Sequence, residues 1–240
     1  MSYQSCFERY EMKYLLTHAQ RDALLECIRP YMALDQYGRT TIRNLYYDTE
    51  SYRLIRRSIE KPVYKEKLRI RSYQRAGDED TVLVELKKKF KKIVYKRRIA
   101  LPQRKALAWL AGDDSCAPEG QIAREITYFR NFYGDLRPTV YLSYEREAFY
   151  SLDGSEFRLT LDENILVRQT DLTLNAEPGG LSLLPEGMVM MELKSPGALP
   201  LWIVRFLSEH KIYKTSFSKY GTAYERMLYQ GGSRRVSGIV

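Results

Sequence analysis

KEKLRIRSY, residues 65–73, carries positive charge at Lys65, Lys67, Arg69 and Arg71, with Leu68 and Ile70 set between the later cations. Alternation with a period of two is the signature of a β-strand that has one apolar face. The opposite face of such a strand is a row of like charges. A single strand of this kind is ordinarily the solvated edge of an antiparallel sheet.

The pattern recurs, and that weakens the ordinary reading. In VLVELKKK (82–89) Glu85 and Lys87 share a face, in VYKRRIAL (94–101) Lys96 and Arg98, and in YLSYEREAF (141–149) Tyr144 and Arg146. Arg158, Thr160 and Asp162 align in FRLTLD, Met190, Glu192 and Lys194 in VMMELKSP, and Arg9, Glu11 and Lys13 near the start. The charges are mostly arginine and lysine with an isolated glutamate among them, unlike the mixed signs of a solubilising surface.

Between these strands the sequence places helices. Thr17 and Gln20 form a capping box before the stripe Ala23, Leu24, Cys27, Ile28, Tyr31. Further strands are expected at 40–48, 63–73, 81–89, 92–101, 139–149, 156–162, 165–169 and 188–194. Helices are expected over ESYRLIRRS, 103–111, 119–133 (stopped by Gly134), 200–209 and about 218–229, with a loop at 175–187. Strands in groups, with helices inserted between them, predict an antiparallel α+β fold rather than a doubly wound sheet. Residues 1–230 read as one domain, and 231–240 as a disordered tail.

The chain has 240 residues, a formal net charge of +9 and a pI near 9.3, which points to an anionic partner. Twenty tyrosines against eight Phe and two Trp favour β structure with half-wet surfaces. Cys6, Cys27 and Cys116 are widely spaced and odd in number, predicting reduced thiols in a cytoplasmic setting. Only His18 and His210 are present, which disfavours histidine-based metal or triad chemistry. No GxxxxGK[ST] or GxGxxG occurs, so phosphate binding cannot rest on a glycine-rich loop. The start of the chain lacks the apolar stretch of a signal peptide, and no window has the apolar length of a membrane-crossing helix. A membrane-protein partner on another chain stays open.

A closed barrel would turn the cationic faces inward around a water-filled cavity. Unpartnered buried charges are very costly, so such a lining calls for a resident polyanion. The fragments FERYEMKYLL, NLYYDTESY, KLRIRSY, VLVELKKK, VYKRRIAL, LSYEREAF, FRLTLDENI, MELK and SFSKYG, in that order, resemble the triphosphate tunnel metalloenzymes. More specifically they resemble the VTC-type (vacuolar transporter chaperone) polyphosphate polymerase domain and its bacterial relatives.

That resemblance implies an antiparallel tunnel barrel of about eight strands with helices outside. It implies ATP and polyphosphate or triphosphate as ligands and Mn²⁺ or Mg²⁺ as cofactor. Carried over by position, Arg69, Arg71, Lys87, Arg146 and Arg158 would act on the transferring phosphate. Lys13, Lys96, Tyr144 and Lys219 would hold substrate, joined by the in-phase Arg9, Lys67, Arg98 and Lys194. Glu192 would bind metal, with Glu11 and Glu85 as further candidates and Glu85 equally a salt-bridge partner of an arginine. Arg9 replaces the first glutamate of the superfamily's ExExK, which disfavours a two-metal triphosphatase and fits the polymerase branch. Ser216 stands where the polymerase has a lysine, with Lys214 nearby.

Two other readings compete: a tunnel triphosphatase or polyphosphatase, and a non-catalytic polyphosphate-binding module. Nucleic acid is disfavoured because the interleaved glutamates would repel a phosphate backbone. Lys88, Lys89, Lys91 and Lys92 are expected to be a solvated turn, Tyr46, Tyr47 and Asp48 to pack and cap, and the two histidines to lie at the surface.

Overall fold

The computed structural model describes residues 10–91 and 93–229. Arg9 and the 231–240 tail therefore lie outside the described residues. In chain order the elements are β1 (Tyr10–Thr17), α1 (His18–Ile28), β2 (Met32–Leu34), β3 (Thr40–Asp48), α2 (Arg53–Ile59), β4 (Tyr64–Ser72), β5 (Thr81–Phe90) and β6 (Ile93–Pro102). Then follow α3 (Gln103–Leu110), α4 (Gln121–Tyr133), β7 (Arg137–Ser151), β8 (Arg158–Arg168), β9 (Leu181–Ser182), β10 (Met188–Ser195), α5 (Leu201–Glu209), β11 (Lys214–Thr215) and α6 (Lys219–Tyr224).

All pairings are antiparallel, in the order β11-β1-β10-β8-β7-β3-β4-β5-β6, with β2 added to β7 and β9 to β8. The α+β antiparallel expectation holds. The closed barrel does not: no ladder joins β6 to β1 or β11 among the described residues. Lysines from both flanks of this seam line one cleft, so a closed ladder would crowd like charges. Side chains span it instead, with Lys87 Nζ 3.6 Å from Glu11 Oε2.

Leu68 and Ile70 decide which way β4 faces. Both are fully buried, with Val82, Val84 and Leu86 of β5, against Trp109 of α3 and Ile126 and Phe129 of α4. Burying a side chain of this size contributes about 1.5–3 kcal/mol. A one-residue slip would drive Arg69 and Arg71 into that core, so the register is firmly set. On the other half of the sheet, Leu16, Leu159, Leu161, Val189, Met191 and Leu193 pack under α1 and α5. Helix α1 begins at the Thr17–Gln20 capping box, and α4 ends at Gly134, whose φ of 76° suits glycine.

The concave face is not the wholly water-filled cavity that a closed barrel predicts. Helices α2 and α6 cover part of it, where Ile55, Tyr220 and Ala223 meet Ile42, Tyr46, Val140, Leu142 and Met190. Other departures are local. The two short strands expected at 156–162 and 165–169 are one strand, β8. Short β2, β9 and β11 lack sequence signal, and the last regular helix ends at Tyr224 before a wider turn over Glu225–Tyr229.

Candidate functional site: a cationic channel with built-in counter-charges

Ladder register places the charged positions on one concave surface, since directly paired residues point to the same side. Lys13 pairs with Glu192, Glu11 with Lys194, Glu192 with Thr160, and Lys194 with Arg158. Arg146 pairs with Asp162, Tyr144 with Ile42, and Asn44 with Arg71. Arg69 pairs with Glu85 and Lys67 with Lys87, and these lead to Arg98 and Lys96 on β6.

Two buried carboxylates organise the cations. Glu85 is 1% exposed and meets Arg69 at 2.7 Å, Lys96 at 2.7 Å, Arg98 at 3.1 Å and Arg71 at 3.8 Å. Arg69 also donates to Tyr46 Oη, and Arg71 donates to Asn44 Oδ1 and Tyr144 Oη. Asp162 is fully buried and accepts from Arg146 at 2.6 and 2.7 Å and from Lys219 at 2.6 Å. Burial alone would raise both carboxyl pKa values. Arg69, Arg71 and Lys96 outweigh it at Glu85, as Lys219 and Arg146 do at Asp162, so both lie below the usual carboxylate range. The lining is thus stabilised by internal carboxylates, not solely by a resident polyanion.

Tyr144 lies beneath the second cluster, its ring centroid 5.1 Å from the Arg146 guanidinium carbon and 4.5 Å from Lys219 Nζ. Burial would raise its phenol, but Arg146, Arg71 and Lys219 hold it below the ordinary tyrosine value. Lys219 is positioned through its neighbour: Tyr220 donates to Asp48 Oδ2 and stacks on Tyr46 at 4.6 Å. Asp48 also accepts from the backbone N–H groups of Thr49, Leu54 and Ile55. Its expected capping role is therefore joined to placement of α6.

Glu11 and Glu192 share Lys13, whose Nζ lies 3.3 Å from Glu11 Oε1 and 3.9 Å from Glu192 Oε1. Burial would raise Glu192, but Lys194, the contact with Glu11, Lys13 and Lys219 take it well below the usual value. Two carboxyl groups this close need positive charge between them, and Lys13 supplies one such charge. Among the described residues no set of three or more His, Cys, Asp and Glu gathers for a metal. A small hard cation is commonly held by one or two carboxylates, with water and phosphate oxygens completing its shell, so this pair fits one. Glu85 does not fit: Arg69, Lys96 and Arg98 occupy its oxygens at 2.7, 2.7 and 3.1 Å, whereas the cations around Glu11 and Glu192 stand farther off, at 3.3 to 3.9 Å.

Beyond these clusters, a cleft of about 470 Å³ opens at the seam, lined by Lys13, Lys61, Lys65, Lys67, Lys87, Lys89 and Lys214 with Glu11 and Glu225. The segment before α6 crosses beside it. Lys13 donates to the Phe217 carbonyl at 2.9 Å and Lys67 to Ser218 Oγ at 3.0 Å. Burial, then Lys87, Lys13, Lys65 and Arg69, push the Lys67 ammonium down to about 7. Ser216 and Lys214 both line this cleft.

The structure thus brings Arg69, Arg71, Lys96, Arg98 and Glu85 into one cluster, and Arg146, Lys219 and Tyr144 into a second around Asp162. Lys13, Lys194, Glu11 and Glu192 form the adjoining group, with Lys67 and Lys87 at the cleft. Arg158 is on the same face but exposed, its guanidinium 5.9 Å from the Tyr150 ring. Lys88 and Lys89 lie within β5 rather than a turn, Lys89 lining the cleft, and Lys92 lies outside the described residues. Sequence patterning gives Asp162 no role beyond its face, assigns Tyr46 to packing alone, and assigns nothing to Asn44. Phase with Arg158 was the available signal for Asp162, whereas Asn44 and Tyr46 sit in a strand without a charge row.

The VTC domain family matches residues 8–228. None of the curated proteins matches the chain. Among solved structures, a candidate adenylate cyclase of Bacillus halodurans superposes with a TM-score of 0.58 at 15% identity, covering 94% of this chain and all (100%) of its own. A candidate adenylyl cyclase of Hippeastrum, described as revealing a dominant triphosphatase activity, gives 0.53 at 16% identity, covering 90% of this chain and 94% of that one. These likenesses speak for the tunnel fold, and the family match spans nearly all of the described residues. The chain belongs to the VTC-domain family.

Proposed function

We propose that this chain is a metal-dependent polyphosphate polymerase, moving the γ-phosphoryl group of ATP onto the end of a polyphosphate chain held in the channel. The family match supports a phosphate-chain ligand. The observation that carries the direction of transfer is the state of the carboxylates. Glu85 and Asp162 are saturated by cations, and Glu192 is held well below its usual pKa. These are poor bases for activating water. A terminal phosphate oxygen is already ionised and needs no base.

In this reading that oxygen attacks the γ-phosphorus, a new P–O–P link forms, the β–γ link breaks, and ADP leaves with the bond's electron pair. Arg69, Arg71, Lys87, Arg146 and Arg158 neutralise charge on the transferring group. Lys13, Lys67, Lys96, Arg98, Tyr144, Lys194 and Lys219 hold the flanking phosphates in line. Glu192 and Glu11 would hold Mn²⁺ or Mg²⁺, which supplies charge neutralisation on the phosphate oxygens. Glu85 is assigned to positioning the arginines. The setting is cytoplasmic, with any membrane-protein partner on another chain. Among the described residues no helix is long and apolar enough to cross a membrane.

Incubating the purified protein with ATP and Mn²⁺ and resolving the products on a gel tests this. A ladder of long polyphosphate is the expected result. Free phosphate without chain growth would establish the hydrolase reading instead, and no ATP consumption a binding module.

A further inference from the structure

One hydroxyl on the concave face has no bonding partner. Thr160 lies in β8 between Arg158 and Asp162 and pairs in register with Glu192 on one side and Ala148 on the other. It is 7% exposed, and its Oγ1 makes no hydrogen bond. The other such atoms among the described residues belong to Arg43, Gln103, Tyr141 and Ser143. Arg43 pairs with Ser143 on the opposite face of the sheet, Tyr141 packs in the outer core, and Gln103 is on α3. Among the described residues on the channel face, Thr160 alone carries such an atom.

A buried hydroxyl left unbonded is destabilising, and native folds contain few of them. Its surroundings explain what would bond it. The neighbouring carboxylate of Asp162 is taken by Arg146 and Lys219. The Glu192 carboxylate has Lys13, Arg146 and Lys194 around it at 3.6–3.9 Å. The cations offer donors only. A hydroxyl between them can donate to an acceptor that arrives from the channel, and a phosphate oxygen drawn in by Arg146 and Lys194 is such an acceptor.

We propose that Thr160 is a substrate-contacting residue, whose Oγ1 donates to a non-bridging oxygen of a phosphate seated against Arg146 and Lys194. This contact rests on the phosphate-channel reading above. It adds a neutral, directional donor to a site otherwise built from charge, so it fixes the orientation of one phosphate rather than attracting it.

The test is calorimetric binding of inorganic tripolyphosphate to the full chain, with thermal unfolding of the free protein, for wild type, Thr160→Val and Thr160→Ser. Removing a donor to a charged acceptor should weaken binding roughly tenfold or more in the valine variant, and serine should restore most of it. The valine variant should unfold at the same or a higher temperature without ligand, because an unbonded hydroxyl has been removed. Valine binding within about twofold of wild type would overturn the contact. So would serine binding as weakly as valine, which makes the hydroxyl irrelevant, or a fall in the valine variant's unfolding temperature, which marks a structural hydroxyl. Failure of the wild type itself to bind tripolyphosphate would sink the phosphate-channel reading, and this contact with it.

Discussion

Lys219 of α6 donates to Asp162 of β8 at 2.6 Å, and Arg146 grips the same carboxylate through both of its oxygens. Two like charges are thereby held side by side by one buried anion. Glu85 performs the same service for Arg69 and Lys96 on another stretch of the concave face. Repulsion among the cations is offset before any ligand arrives, which in the proposed function preorganises the guanidinium groups for phosphate.

Replacing Asp162 with Asn should be strongly destabilising. It leaves two buried cations without their counter-charge, and breaking a buried pair in this way costs about 3–5 kcal/mol. Urea unfolding of Asp162→Asn, Lys219→Met and the double variant measures it. The double variant should lose less than the sum of the two single losses, because Lys219 no longer needs the carboxylate.

Acid sensitivity follows from the same two carboxylates. Their pKa values are depressed on folding, so the stability they contribute is present above the unfolded value, near 4. It is lost as pH falls from there through the folded value. The wild type should therefore weaken below about pH 4, while Glu85→Gln, less stable at neutral pH, should lose less across that window. Unfolding midpoints from pH 6 down to pH 3 check this, and equal acid slopes for both proteins would contradict it.

Lys67 should couple binding to proton uptake. Its ammonium is pushed down to about 7 by burial and by neighbouring cations, so a polyanion in the cleft should raise it again. Tripolyphosphate binding at pH 8 should take up as much as about one proton, read from the dependence of binding enthalpy on buffer. Lys67→Gln should remove most of that uptake. Affinity should fall as pH rises from 6 to 8 in the wild type more than in the variant.

Metal affinity should separate the glutamates. Glu192→Gln and Glu11→Gln each remove one of the paired carboxylates and should weaken Mn²⁺ binding, measured by electron paramagnetic resonance, by tenfold or more. Glu85→Gln should leave Mn²⁺ affinity nearly unchanged while lowering folding stability, because its partners are arginines and lysines. Equal metal loss in all three variants would contradict the division of roles.

Tyr220→Phe should loosen α6 at a cost of about 1.5–3 kcal/mol, the usual worth of a hydrogen bond to a charged group, because the phenol loses its bond to Asp48 and its contact with Thr139 Oγ1. Asp48 keeps its three backbone donors, so the strand end should survive. The readout is faster amide exchange in α6 than in α2, together with weaker tripolyphosphate binding through a displaced Lys219.

Much of this arrangement was legible because a β-strand writes its two faces into alternate positions. Leu68 and Ile70 against Lys67, Arg69 and Arg71 predict which side meets a core, and β4 obeys. The same phase rule places Glu85, Lys96, Arg146 and Glu192 on the concave surface. Asn44 and Tyr46 escaped because their strand is buried on both faces and shows no alternation of charge. Asp162 was in phase, but nothing in FRLTLD says that Lys219, 57 residues onward, would reach it.

By itself the amino-acid order determined the strands, their apolar and charged sides, and the excess of cations that must converge somewhere. Which carboxylate neutralises which cation was decided only on folding, because those pairs join strands far apart in the chain. The same holds for the open seam and for α2 and α6 covering part of the concave face. Coulombic partnering depends on distance in space, and local alternation carries no information about that distance.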